Sequence, residues 1–135
     1  MSTQVFINLP VADLPKAIAF YTAIGFTNNP DFTDHTAACM VYSNEIFVML
    51  LTHDKFKEFI NRPMADARKT ALVIHSLSME NMDKVNAFVE KAVAAGGKET
   101  MEPQDLGFMQ QRSIEDLDGH LWEVFYMDMS AMPQQ

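Results

Sequence analysis

Two parts of this chain match one another at fixed spacings, and that duplication limits the folds open to it. Shifted by 68, residues 11–20 fall on residues 79–88. Lys16/Lys84, Ala19/Ala87 and Phe20/Phe88 are then identical, and Val11/Met79, Asp13/Asn81, Leu14/Met82 and Ala17/Val85 are alike in character. Shifted by 74, the apolar run 47–51 falls on 121–125. A repeat of this length means one supersecondary unit built twice, and 135 residues hold two such units within one domain.

Each half reads as a strand, a helix and three further strands. In the first, the apolar run 5–9 stopped by Pro10 is a strand. Asp13 caps a helix that starts at Leu14 with Pro15 in its first turn, and Gly25 ends it. An irregular stretch through Asn28-Asn29-Pro30-Asp31 follows, then strands over 35–42 and 46–51 and a short helix over 54–61; residues 62–69 connect. In the second half a strand is expected over 70–79. Asn81 caps a helix whose apolar stripe is Met82, Val85, Val89, Ala92 and Val93, and Gly96-Gly97 stops it. Strands are expected over 98–101, 108–114 and 121–127, the last two joined by the turn Asp116-Leu117-Asp118-Gly119, and the tail 130–135 reads as frayed. The fold class is α+β: two tandem β-α-β-β-β modules, 1–66 and 67–135, forming a curled mixed sheet around a cleft. A ferredoxin-like sandwich is the alternative, weakened by the extra strand in each half.

Charge narrows the partners. Ten Lys and Arg against eighteen Asp and Glu give a net charge of −8, without the clustered positive charge that a phosphate backbone requires, so no nucleic acid is expected. Cys39 is the single cysteine, so an intrachain disulfide and a cysteine-built zinc site are both excluded. The opening MSTQVFINLP has no basic n-region and no long apolar run, and no stretch is apolar enough to span a membrane. A cytoplasmic location is the expectation.

Residues 9–26, Leu-Pro-Val-Ala-Asp-Leu-Pro-Lys-Ala-Ile-Ala-Phe-Tyr-Thr-Ala-Ile-Gly-Phe, and residues 116–125, Asp-Leu-Asp-Gly-His-Leu-Trp-Glu-Val-Phe, resemble the vicinal oxygen chelate superfamily of glyoxalases, bleomycin-resistance proteins and extradiol dioxygenases. The Asn-Leu-Pro-Val opening and the Gly-Phe-Met segment resemble a bacterial subgroup of predicted lactoylglutathione lyases. The resemblance implies paired modules curled about a cleft, usually in a homodimer. In glyoxalases of this kind it also implies one metal ligand on each of four strands, the metal chelating two neighbouring substrate oxygens. Carried onto this chain, the four positions are Phe6, Met49, Ile74 and Glu123. Three of these side chains cannot bind a hard divalent cation.

Candidate site residues follow from that comparison and from strand parity. Glu123 is a carboxylate in an apolar strand and a candidate acid–base group. Phe6, Asn8, Phe47, Met49, Leu51, Ile74 and Phe125 share the parity of the four positions and are candidate ligand contacts, and Arg112 is a further candidate or else an ion-pair partner. No metal or other cofactor is expected. In the alternative, Zn, Ni, Fe or Mn would be held by Glu123 and His75, although alternation turns His75 away from the face of residue 74. His120 reads as a turn residue and Cys39 as a small core residue. Two functions remain open: a metal-free small-molecule binder of bleomycin-resistance type, or a metal-dependent lyase, isomerase or dioxygenase of the glyoxalase type.

Overall fold

A computed structural model describes residues 2–131, so residues 132–135 of the expected frayed tail lie outside the described residues. The chain forms two compact units, residues 1–70 and 71–135. In the first unit, β1 (Val5–Val11), α1 (Leu14–Ala23), β2 (Thr27–Asn29), β3 (Ala37–Val41), β4 (Ile46–Thr52) and α2 (His53–Lys57) follow in order. The sheet order is β1-β4-β3-β2, with β1 parallel to β4 and the other pairs antiparallel. The second unit contains β5 (His75–Ser78), α3 (Met82–Ala94), β6 (Lys98–Glu99), β7 (Gln104–Asp105), β8 (Met109–Glu115) and β9 (Leu121–Met127). Its order is β5-β9-β8-β6, again with the first pair parallel, and β7 pairs with β8. The fold is therefore α+β with mixed sheets and three α-helices among the described residues.

The local signals account for these elements. Asp13 accepts a hydrogen bond from the Lys16 backbone N–H at 3.1 Å, and Asn81 accepts one from Lys84 at 2.9 Å, each satisfying a donor that the first helical turn leaves free. Gly96 ends α3 at φ 106°, a left-handed conformation that a side chain resists, and a Cβ there would lie 3.0 Å from Leu117. Both helices bury one apolar stripe: Leu14, Ala17, Phe20 and Tyr21 on α1, and Val85, Phe88, Val89 and Ala92 on α3.

Strand register gives an independent measure of the duplication. Asn8 lies opposite Met49 in the first sheet and Ser76 opposite Glu123 in the second, which are the same pairs moved by 68 and 74. Cys39 opposite Met49 likewise becomes Ser113 opposite Glu123. Three expectations are corrected. The strand expected over 70–79 begins only at His75; in the register of β5 with β9, residues 70–73 fall opposite residues 117–120 of the turn, which offer no strand to pair with. The helix expected over 54–61 is shorter and earlier, His53–Lys57. The stretch read as irregular contains β2, three residues that pair with β3.

Candidate functional site

Each sheet has one face packed by its long helix. In the second unit α3 lies on β8 and β9, and the residues turned toward it, Leu77, Ile114, Trp122 and Val124, are buried. Alternation places Ser76, Ser78, Ser113, Leu121, Glu123 and Phe125 on the opposite face. In the first unit α1 lies on β3 and β4, Val48 and Leu50 are buried beneath it, and Phe6, Asn8, Phe47 and Met49 take the other face.

Glu123 is the centre of the second unit's open face. The Ser76 hydroxyl donates to its Oε1 at 2.7 Å, and Ser113 sits directly opposite on β8. Carboxylate and hydroxyls thus form one row across three neighbouring strands. Among the described residues, no cation pairs with Glu123 and the Ser113 hydroxyl has no hydrogen-bond partner. One position further along β9 on the same face is the Phe125 ring, flanked by Ser78 and Gln111.

The equivalent face of the first unit is apolar. Phe6 and Phe47 stack at 4.5 Å between ring centroids, nearly parallel at 10°, and Phe6 remains 47% exposed. The row matching Ser76–Glu123–Ser113 is Asn8–Met49–Cys39. Asn8 is exposed and its amide donates to the Phe6 carbonyl at 3.3 Å. Cys39 is buried, and burial pushes its thiol pKa up, the opposite of what a nucleophile needs.

Three of the expected contacts change place. Arg112 lies opposite Val124, on the helix-covered face and not beside Glu123. There it donates to both carboxylate oxygens of Glu99 at 2.8 Å and to the Asn86 side chain of α3 at 2.9 Å. Leu51 is 3% exposed and belongs to the core, at the end of β4 where α2 packs on β1 and β4. Ile74 is exposed and falls outside β5. Sequence reasoning passed over Ser76 and Ser113. The signal for Ser76 was available, since the shift of 68 that relates the halves carries Asn8 onto it.

His75 stands on the Trp122 side of β5, with its ring 4.8 Å from the indole, and faces away from Glu123. Burial lowers its pKa below the ordinary 6.5; nearby His120 lowers it further, and Asp116 opposes the shift. The fold therefore resists protonating His75 while the unfolded chain does not. Stability should fall as pH drops below about 6.5 and level off once the depressed folded value is passed. His75→Phe should flatten that part of the curve in thermal melts from pH 7.5 to 5. An unchanged slope would show that another group sets it.

A model of the Glyoxalase/Bleomycin resistance protein/Dioxygenase superfamily matches residues 3–124. No curated protein matches significantly. Among solved structures, a hypothetical protein from S. aureus is 26% identical with a TM-score of 0.78, over 93% of this chain and 95% of that one. A glyoxalase/bleomycin resistance protein/dioxygenase family enzyme from Burkholderia phytofirmans PsJN is 14% identical, with a TM-score of 0.76 over 93% and 99%. A genomically encoded fosfomycin resistance protein from Listeria monocytogenes is 19% identical, with a TM-score of 0.66 over 97% and 98%.

Proposed function

The chain belongs to the glyoxalase/bleomycin resistance protein/dioxygenase superfamily, and on that premise we propose that it is a small-molecule binding protein of bleomycin-resistance type that works without a metal ion. The observation that carries this reading is the make-up of the two equivalent rows, Asn8–Met49–Cys39 and Ser76–Glu123–Ser113. They offer one carboxylate, two hydroxyls, an amide, a thioether and a buried thiol. Zinc, nickel, iron or manganese sites use several imidazole or carboxylate donors turned to one point, and neither row supplies such a set. His75, the expected supplementary ligand, is on the opposite face of its strand. What the faces do offer is apolar area with a few fixed polar groups, the usual make-up of a small-molecule site.

On this reading Glu123 fixes a polar group of a ligand on the second unit's own face and the Phe125 ring beside it contacts an apolar part, while the Phe6–Phe47 stack gives the first unit's face an apolar surface of its own. We assign the working form to a homodimer, supported by the exposed apolar side chains of Leu72, Val73 and Ile74 upstream of β5. The test is elemental analysis of the purified protein, with its molar mass by light scattering, followed by a thermal-shift screen of small molecules. The expected result is far less than one equivalent of transition metal per chain and a rise in melting temperature with some ligands. One equivalent of metal that is lost in Glu123→Gln would overturn the reading in favour of a metal-dependent enzyme.

A further inference from the structure

We propose that the row Ser76–Glu123–Ser113 is a receptor for a primary ammonium group, so that the ligand is an organic amine. The inference rests on the binding role proposed above and names the class of molecule bound. Glu123 supplies one negative charge, and its natural complement is a monocation. The Oε1 atom is already engaged by the Ser76 hydroxyl at 2.7 Å. That leaves Oε2, the remaining lone pairs of Ser76 and the Ser113 hydroxyl, three acceptors on three adjacent strands. Strands lie about 4.8 Å apart and directly opposite side chains about 5 Å apart, close enough for one nitrogen to bridge Oε2 of Glu123 and the hydroxyl of one flanking serine, with its third N–H left to solvent.

This arrangement discriminates among cations. An ammonium has three donors that diverge from a single nitrogen. A guanidinium prefers to grip both oxygens of a carboxylate in one plane, and at Oε1 it would have to share the oxygen with the Ser76 hydroxyl. A quaternary ammonium has no N–H to offer the hydroxyls and is held by several aromatic faces, whereas only Phe125 stands beside the row on this face of β9. Arg112, on the neighbouring strand β8, is held on the other face of the sheet by Glu99 and Asn86 and does not neutralise Glu123. The overall charge of −8 further favours a cation over an anion.

The probe is benzylammonium, whose ring can lie against Phe125, with benzyl alcohol, benzylguanidinium and benzyltrimethylammonium as controls of similar shape. Amide chemical shifts in NMR titrations of the full chain detect even millimolar binding. Saturable shifts at Ser76, Ser113 and Glu123 with benzylammonium, at least tenfold weaker for each control, are expected. Glu123→Gln can still accept from Ser76, so it should fold as the parent does and lose at least tenfold in affinity; Ser113→Ala should lose a few-fold. Equal binding of benzyl alcohol, shifts confined to other residues, or undiminished affinity in Glu123→Gln would each overturn the amine assignment. Those outcomes leave the metal content untouched, so a failure of this inference is distinguishable from a failure of the binding reading.

Discussion

Replacing Trp122 with alanine should lower stability by about 3–5 kcal/mol, a fall in melting temperature of roughly 10–20 °C for a chain of this size. The indole is 1% exposed, with Ile114 opposite it on β8 and the His75 ring against it. Its removal leaves a cavity that the strands around it cannot close. Three residues along the same strand, Phe125→Ala should cost no more than about 1–2 kcal/mol, since that ring lies half-buried on the open face. The second substitution should instead weaken ligand binding. Denaturant melts of the two variants beside ligand titrations would check the division. Equal losses of stability would mean that β9 does not separate a structural face from a binding face.

Arg112→Met should destabilise the protein at neutral pH by about 1–3 kcal/mol while leaving ligand affinity unchanged. The guanidinium makes two hydrogen bonds to Glu99 and one to Asn86, with the two charged side chains 19% and 26% exposed. Its loss strands a largely covered carboxylate. The sign of the pH dependence follows from Glu99. Hydrogen bonding to Arg112 is the chief cause that lowers the Glu99 pKa from 4.5, with burial opposing it. A carboxylate with a depressed folded pKa stabilises the fold above its unfolded value, and that contribution is lost as pH falls through the folded value. The gap between parent and variant should therefore be full at pH 7 and narrow steadily below pH 4.5. A gap independent of pH would assign the effect to lost packing of the arginine stem. A large loss of ligand affinity would place Arg112 on the binding face after all.

Much of the fold was legible because it is written in local signals. The caps Asp13 and Asn81 and the stops Gly25 and Gly96 depend on the few residues around them, and each stands at the helix end it was expected to mark. The shifts of 68 and 74 reappear as strand register because equal modules bury equal faces. Parity along β9 likewise separates Trp122 and Val124 from Glu123 without reference to any other segment.

What the sequence by itself determined, then, is the duplicated α+β plan, the helix limits and the side of its strand on which Glu123 stands. Tertiary structure decided who meets whom. Arg112 could have reached Glu123 or Glu99, and only the pairing of β8 with β9 fixes its side and gives it to Glu99 and Asn86. Ser76 could be matched to Glu123 only once β5 was laid parallel to β9. Ile74 has the parity of a strand residue but lies one residue ahead of β5 and is exposed. Leu51 has the parity of an open face yet is covered where α2 packs. Parity, capping and repetition are properties of neighbours along the chain, whereas partner, exposure and coverage are set by segments that the sequence separates by tens of residues.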